Sequence, residues 1–306
     1  MFLNGIVPIY KKSGVVSFDI VRKIRYMLSE KYKKKIKVGH IGTLDPLASG
    51  VLVICIGHAT RLSEYYLAMP KKYLGSMLLG FSTDTDDITG KVLTCAKPYL
   101  LTPFQLEKAF KELEGKIMQQ PPIFSAIKVK GVPLYKSARK GKKVLVPKRQ
   151  VYIYKATVFN YIPYPVPQIN FELSCSKGTY IRSFCRDIGL KLSLPACMSS
   201  LVRVKSCGFS LKECVTLKDF TLLLQEDKLT KILVPLGERL PLATFIVKDA
   251  ALKYLLDGKA ITLTKEKSYL NGENVKVFTE SGRFCGIYKY LEDKCVLLPS
   301  KVFREI

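Results

Sequence analysis

Residues 38–50 read Val-Gly-His-Ile-Gly-Thr-Leu-Asp-Pro-Leu-Ala-Ser-Gly and place a single acid, Asp45, in an apolar loop that contains several glycines. Pro46 disfavours the helical region for Asp45 and favours an extended backbone there. Residues 51–56 form an apolar run that ends at Gly57, which predicts a buried strand. A carboxylate on a stiff loop beside a core strand can serve as a nucleophile or a base, although Leu-Asp-Pro also occurs at ordinary turns.

The charge balance of the chain points to a polyanionic partner. The 306 residues include 50 Lys and Arg against 25 Asp and Glu, a net charge of +25. Nucleic acid is the leading candidate, and a merely basic surface is the alternative. Clustering favours nucleic acid, because basic residues form two runs: Lys31, Lys33, Lys34, Lys35 and Lys37, then Arg139, Lys140, Lys142, Lys143, Lys148 and Arg149. Nearby tyrosines suit either base stacking or the core of a strand: Tyr135, Tyr152 and Tyr154.

Several other classes of protein are disfavoured by the sequence. Nine scattered cysteines without a Cys-x-x-Cys pair are typical of reduced thiols, not of a disulfide framework or a zinc site. With only His40 and His58 as histidines, we expect no metal centre. No signal peptide and no membrane-spanning run is recognisable, so we expect a soluble cytoplasmic protein.

Periodic patterns predict mixed helices and strands up to residue 238. Ser17 is predicted to cap a helix with an apolar stripe, and Thr102 to begin a second helix with a capping box. Strands are predicted at 72–81, 151–159 and 169–175. The acid-rich stretch 82–87 is interpreted as a solvated turn. Residues 119–149, rich in Pro, Gly and Lys, are interpreted as a surface excursion with a basic edge, open to clamp-like movement.

Two further patterns concern the second half of the chain. Ser176-Lys177-Gly178 leads into a helix on which Arg182 lies off the apolar face, a position that is usually exposed. From residue 239 the pattern changes to a short helix at 250–256 and short strands at 261–263, 275–278, 285–289 and 296–298. We therefore expect two domains, 1–238 and 239–306, of which the second is small and β-rich.

Five stretches, in order along the chain, resemble the motifs of the bacterial TruB-type tRNA pseudouridine synthases. Residues 40–50, His-Ile-Gly-Thr-Leu-Asp-Pro-Leu-Ala-Ser-Gly, resemble the family signature. The other four are Lys11-Lys12-Ser13-Gly14 with Ser17-Phe18-Asp19, Lys71-Lys72-Tyr73, residues 121–128 (Pro-Pro-Ile-Phe-Ser-Ala-Ile-Lys), and residues 176–182 (Ser-Lys-Gly-Thr-Tyr-Ile-Arg). The resemblance covers about residues 5–235, and residues 239–306 more loosely resemble a PUA domain, which is an RNA-binding module.

The resemblance implies a fold and an activity. The fold class is α+β, a pseudouridine-synthase fold with a mixed, mainly antiparallel sheet and peripheral helices, followed by the PUA-like domain. The activity is isomerisation of uridine to pseudouridine at position 55 in the T-loop of tRNA, by a monomer that needs no cofactor and no metal. The tRNA T-arm stem-loop is the implied partner.

The resemblance also implies roles for individual residues. Asp45 is the nucleophile or proton-shuffling carboxylate, with attack on the uracil ring or on C1′ left open. Arg182 pairs with Asp45, since a carboxylate beside a flipped base needs a cation to stay ionised. Tyr73 stacks on the base and is a candidate general base. The implied RNA-binding residues are His40, which fills the vacated space, Lys177, Tyr180 and Leu201.

Two departures and two alternative functions accompany this hypothesis. Lys12 stands where the family has Pro, and Val202 where it has Arg in a Leu-Arg-Arg motif. The first alternative is a non-catalytic RNA-binding protein. The second is a glycosidic hydrolase that uses Asp45, although such enzymes usually need a second acid and none stands out.

Overall fold

The computed structural model describes residues 3–125, 127–129, 131–134, 138, 140, 145–263 and 269–304. Within these residues the α-helices are α1 Ser17–Tyr32, α2 Ser63–Ala68, α3 Pro103–Lys111, α4 Ile181–Lys191, α5 Leu217–Gln225 and α6 Leu252–Leu256. The strands of the first 240 residues are β1 Gly5–Lys11, β2 Val38–Ile41, β3 Ser49–Ile56, β4 Lys71–Leu79, β5 Phe81–Thr83, β6 Val92–Cys95, β7 Gly115–Gln119, β8 Lys128–Val129, β9 Val132–Pro133, β10 Arg149–Ile162, β11 Gln168–Cys175, β12 Ala196–Ser206 and β13 Phe209–Ser210. The later strands are β14 Ala243–Val247, β15 Ile261–Thr262, β16 Asn274–Thr279, β17 Phe284–Leu291 and β18 Val296–Val302.

One large mixed sheet organises the chain up to residue 210. Its strands lie in the order β1-β3-β12-β4-β11-β10-β7, with β2 added beside β3 and β13 beside β12. All pairs are antiparallel except β3 with β12. The predicted α+β class with a mainly antiparallel sheet is therefore confirmed. Strand β12, which lies between β3 and β4, is not among the strands that the sequence predicted.

The helices α1, α3 and α4 cover one face of this sheet, which we call the inner face. Their apolar side chains join those of the strands in one core, in which Phe110, Phe171 and Phe184 pack with ring centroids 5.6–5.8 Å apart. The α3 helix begins as predicted, since Thr102 and Gln105 form a capping box ahead of Pro103. Strand β11 alternates as predicted between buried and half-buried residues.

The start of α1 differs from its prediction. The residue that caps this helix is Val16, and the hydroxyl of Ser17 instead bonds to the loop that carries Asp45. This hydroxyl donates to the carbonyl of Leu44 (2.8 Å) and accepts from its backbone N–H (3.0 Å). Ser17 therefore holds the candidate catalytic loop against the helix.

A second sheet of five strands lies beyond residue 240, in the order β14-β16-β17-β18-β15. The four predicted strands of this region are present, and β14, parallel to β16, is a strand that the sequence did not predict. Phe284, Ile287 and Phe303 pack in one cluster with Val51 and Val53 of β3. The five-stranded sheet thus packs against the face of the main sheet opposite the inner face, which we call the outer face, at its β1–β3 end.

Residues 119–149 are only partly described. The first part of this segment is not a surface excursion, because Gln119, Pro121 and Ser125 are buried. Residues 126, 130, 135–137, 139 and 141–144, which include Tyr135 and three residues of the second basic run, lie outside the described residues. Among the described helices, none is long and apolar enough to cross a membrane.

Candidate active site

A cavity of about 380 Å³ opens on the inner face, where α4 begins beside β4 and β12. Its walls come from parts of the chain that are distant in sequence. They include Gly42, Thr43, Leu44, Asp45, Leu67, Lys71, Tyr73, Phe124, Ser125, Gly178, Thr179, Tyr180, Ile181, Arg182, Leu201 and Arg203. Five of the seven candidate site residues therefore meet here: Asp45, Tyr73, Tyr180, Arg182 and Leu201.

Asp45 and Arg182 form an ion pair at this cavity. The Nε of Arg182 donates to the Oδ2 of Asp45 at 2.9 Å, and the Arg182 side chain is 5% exposed against 37% for Asp45. The expectation that Arg182 is exposed is wrong, because the remaining guanidinium N–H groups donate to the carbonyls of Thr85 and Phe124 at 3.0 Å each. These bonds fix the guanidinium and leave the carboxylate open to the cavity.

Asp87 provides a second carboxylate beside Arg182. Its Oδ2 lies 3.8 Å from the Nε of Arg182, and its side chain is 7% exposed. The other oxygen accepts from the hydroxyls of Thr85 and Thr89 and from the N–H of Thr89. The prediction of a solvated turn at 82–87 is therefore wrong, because this turn packs against the start of α4. The sequence showed the acids but not which element they face.

The Asp45 loop is also bonded to a buried lysine at the end of β1. Lys11 is fully buried at the end of β1, and its Nζ donates to the carbonyls of Val15 (2.6 Å) and Pro46 (3.2 Å). Burial lowers the pKa of Lys11 from 10.5 to about 8, although the nearby Asp45 opposes this shift. This ammonium therefore ties the residue after Asp45 to the edge of the sheet.

Tyr73 lies in the cavity beside a second buried arginine. Tyr73 on β4 pairs in register with Arg203 on β12, and both residues are buried. Arg203 donates to the carbonyls of Val51 (2.9 Å) and Gly42 (2.7 Å), so it joins β3 and the Asp45 loop to β12. Burial raises the pKa of Tyr73 to about 12, and the charge of Arg203 opposes this shift. The phenol is therefore neutral at neutral pH.

Tyr180 and Leu201 complete the wall of the cavity. The backbone of Tyr180 exchanges two hydrogen bonds with the side chain of Gln119, at 2.8 and 3.0 Å. The guanidinium of Arg149 lies 5.6 Å from the centroid of the Tyr180 ring, within the range of a cation–π contact. Burial raises the pKa of Tyr180. Tyr180 thus lines the cavity with an aromatic ring that is in contact with the cation of Arg149.

His40 and Lys177 do not line the cavity as the structure describes it. His40 lies on β2, where its Nε2 is 2.9 Å from the hydroxyl of Thr43, and burial lowers its pKa. Lys177 is exposed in the turn before α4. Both residues therefore stay candidates for RNA contact at the rim. No group of three His, Cys, Asp or Glu side chains suited to a metal ion occurs in the described part of the chain.

Three residues that the sequence analysis gave no role hold the site together: Lys11, Asp87 and Arg203. Each lies within or beside a stretch already noted, namely the opening motif, the acid-rich stretch and the Leu-Val-Arg motif. For Lys11 the available signal was a basic residue at the end of an apolar strand, since such residues are rarely buried unless they are paired.

Comparison with known families identifies the chain. The family model described as TruB family pseudouridylate synthase (N terminal domain) matches residues 28–181, and that of the tRNA pseudouridylate synthase B C-terminal domain matches residues 182–240. The chain belongs to the TruB family of pseudouridine synthases. The predicted family is thus confirmed, and the protein is an enzyme.

Curated relatives agree over nearly the whole length of this TruB-family chain. A tRNA pseudouridine synthase B from Bacillus licheniformis is 40% identical, with 98% of this chain and 97% of the relative covered. The tRNA pseudouridine synthase B of Bacillus subtilis is 38% identical, with 99% and 98% covered.

Solved structures support the same fold. A chain of an H/ACA RNP bound to a substrate RNA containing 2′-deoxyuridine has a TM-score of 0.72 at 23% identity, with 98% of this chain and 86% of that chain covered. A chain of a Cbf5-Nop10-Gar1 complex has a TM-score of 0.72 at 24% identity, with 97% and 84% covered. At these identities the likeness concerns the fold alone.

Proposed function

We propose that this TruB-family enzyme converts uridine to pseudouridine at position 55 in the T-loop of tRNA, with the target base flipped into the cavity. The observation that carries the proposal is the ion pair of Asp45 with the buried Arg182 at the cavity. The curated relatives bear the name tRNA pseudouridine synthase B, which supports tRNA as the substrate.

The reaction needs a side chain that rearranges the bonds of the nucleoside and is itself regenerated at the end. The bond from N1 to C1′ breaks, C5 bonds to C1′, and the proton from C5 leaves while N1 gains one. Substrate and product have the same atoms, so the balance requires no redox partner and no group donor. Asp45 supplies the carboxylate, either as a nucleophile towards the uracil ring or C1′, or as a base. All of these roles fit a side chain that lines the cavity and is 37% exposed.

Arg182 holds the carboxylate of Asp45 in place at the cavity. Two backbone carbonyls, of Thr85 and Phe124, accept from the other guanidinium nitrogens and hold Arg182 in one position. A preorganised charge of this kind costs no reorganisation when the reaction occurs. Asp87 lies 3.8 Å from the same Nε and adds a second negative charge beside the guanidinium.

Tyr73 is proposed to stack on the flipped base. Stacking uses only the neutral ring, which suits a phenol with a pKa of about 12. The further role of general base at C5 needs the phenolate, and its formation at pH 7 costs about 7 kcal/mol for five pH units. Leu201 and Tyr180 supply apolar and aromatic contact to the same base, and His40 fills the space that the base leaves.

The remaining parts of the proposal concern the RNA outside the cavity. Removing a base from a folded loop costs a few kcal/mol, which contacts to the rest of the RNA must offset. Lys177 and the basic runs are proposed to hold phosphates. Residues 239–306 are proposed to form a PUA-like RNA-binding domain beside the catalytic domain 1–238. We further propose that the enzyme works as a cytoplasmic monomer.

The proposal is tested by incubation of the protein with a T-arm stem-loop, followed by mapping of any modified nucleotide. We expect pseudouridine at the position that corresponds to uridine 55 and no free uracil. Free uracil would instead indicate glycosidic cleavage. Tight binding without any product would indicate the non-catalytic RNA-binding alternative.

A further inference from the structure

The outer face of the main sheet, directly behind the cavity, carries a row of lysines. Lys72 on β4 pairs in register with Ser174 on β11 and with Lys205 on β12, and Ser174 pairs with Lys155 on β10. Paired residues on adjacent strands point to the same side of a sheet. Lys205, Lys72 and Lys155 therefore lie in one line across four strands.

Two exposed tyrosines lie next to this row. Tyr152 and Tyr154 on β10 are 45% and 49% exposed, and their ring centroids are 5.0 Å apart. The alternative that these tyrosines belong to the core is wrong, because Val151 and Ile153 are the buried residues of this stretch. Lys116 on β7 pairs in register with Tyr152, which places a further cation beside the rings.

The charge of this face is almost entirely positive. Glu172 is the single acid in the sequences of β4, β7, β10, β11 and β12, and it is already paired with Lys72 at 2.8 Å. In the part of the chain that the structure describes, Lys116, Lys155 and Lys205 form no ion pair. Three cations on this face are therefore open to a polyanion.

The face is also continuous with the rim of the cavity. The backbone of Tyr152 forms two hydrogen bonds of 2.9 Å with Ser176, one to its hydroxyl and one from its N–H. The turn continues through the exposed Lys177 to Gly178 and Tyr180, which line the cavity. RNA bound at Lys177 therefore lies beside the strand end that carries Tyr152, and a segment of the same tRNA beyond the T-arm can continue from there onto the outer face.

We infer that this basic face, composed of Lys72, Lys116, Tyr152, Tyr154, Lys155 and Lys205, binds a segment of the tRNA that lies outside the T-arm and has unpaired bases. The inference rests on the proposed function. Lysines that neutralise phosphates and aromatic rings that stack on bases are the two elements of single-strand binding without sequence preference. The open tyrosine pair supplies the stacking surface, and the lysine row supplies the backbone contacts.

The test compares an unmodified full-length tRNA transcript with a T-arm stem-loop. One variant combines Tyr152→Ala and Tyr154→Ala, and a second combines Lys116→Gln, Lys155→Gln and Lys205→Gln. All five side chains are exposed, so we expect both variants to keep the wild-type melting temperature. The matched control combines Tyr26→Ala on α1 with Lys218→Gln on α5, two exposed residues away from the main sheet's outer face.

We expect the tyrosine variant to bind full-length tRNA at least about fivefold more weakly, the smallest loss typical of one stacked base. The lysine variant should lower the slope of log affinity against log salt by about 2, as for three phosphates on a single strand. Affinity and product formation with the T-arm should be unchanged, as should all values for the control.

Two results would overturn the inference. One is an affinity of both variants for full-length tRNA that stays within twofold of the wild type. The other is an equal loss of affinity for the T-arm and for full-length tRNA, since the face would then contact the T-arm itself and no further segment. Failure of the proposed function is seen separately, as the absence of pseudouridine in tRNA treated with the wild type.

Discussion

Replacing Arg182 by lysine keeps its charge and removes its planar fork. A single ammonium cannot reach Asp45, Thr85 and Phe124 at once, because these acceptors lie around different edges of the guanidinium. Lost hydrogen bonds of a charged group cost about 1.5–3 kcal/mol each. The orientation of the Asp45 carboxylate relies on this fork, and removal of one preorganised donor lowers kcat by roughly 10²–10³ in other enzymes. We expect a loss of kcat of that size for Arg182→Lys.

Arg182→Met should be worse in both activity and stability. It removes the cation that lies beside Asp87, whose side chain is only 7% exposed. Breaking a buried ion pair by removal of one partner costs about 3–5 kcal/mol. We therefore expect no detectable turnover for Arg182→Met and a clearly lower melting temperature, whereas Arg182→Lys should remain folded at the assay temperature.

The assay is release of tritium from tRNA labelled at C5 of uridine, because formation of the C5–C1′ bond expels that hydrogen. Arg186→Lys is the matched control, since Arg186 lies one turn further along α4 and pairs with Asp86 outside the cavity. We expect the control to retain activity within about threefold. An Arg182→Lys enzyme that is folded and within threefold of the wild type would refute the positioning role.

Three further predictions use the same protein. If Tyr73 is the base, Tyr73→Phe should keep its affinity for tRNA and lose tritium release. The rate of tritium release by the wild type should rise about tenfold per pH unit from pH 7 to 9 as the phenolate fraction grows. A wild-type rate that does not change with pH, together with an active Tyr73→Phe enzyme, would exclude this role. The pKa of Lys11 is lowered to about 8 in the folded state, so between pH 8 and 10.5 the unfolded chain binds more protons than the folded one. The free energy of unfolding of the wild type relative to Lys11→Met should therefore rise with pH by up to about 3 kcal/mol. Denaturant titrations measure this difference, and a value that stays constant with pH would contradict the reasoning. Affinity for tRNA should fall about 100-fold between 50 and 200 mM salt, as for roughly four neutralised phosphates, in contrast to a salt-independent affinity if charge plays no part.

Regular local patterns made much of the fold predictable. The capping box at Thr102, the apolar run of β3 and the alternation of β11 each contain their signal within a few residues. Strand β12 contains no such signal, because Ser, Arg and Lys interrupt its apolar residues and two irregularities shift its register against β4. Its place between β3 and β4 depends on partners that are distant in the chain.

The site shows the same limit. The motifs located Asp45, Tyr73 and Arg182, but a helical pattern placed Arg182 on a polar face and therefore at the surface. Its burial comes from three segments that are 58 to 137 residues away in sequence. Periodicity along one helix contains no information about such contacts, so the burial of Arg182 had to come from the structure.

The central claim is that the Asp45 carboxylate takes part in a covalent rearrangement of the flipped uridine, and Asp45→Asn tests it most directly. The substitution keeps the size of the side chain and one oxygen that can accept from Arg182, so folding and tRNA affinity should change little. Tritium release from C5-labelled tRNA should fall to background in single-turnover conditions with excess enzyme. Release at a rate close to that of the wild type, from a preparation free of wild-type enzyme, would contradict the account.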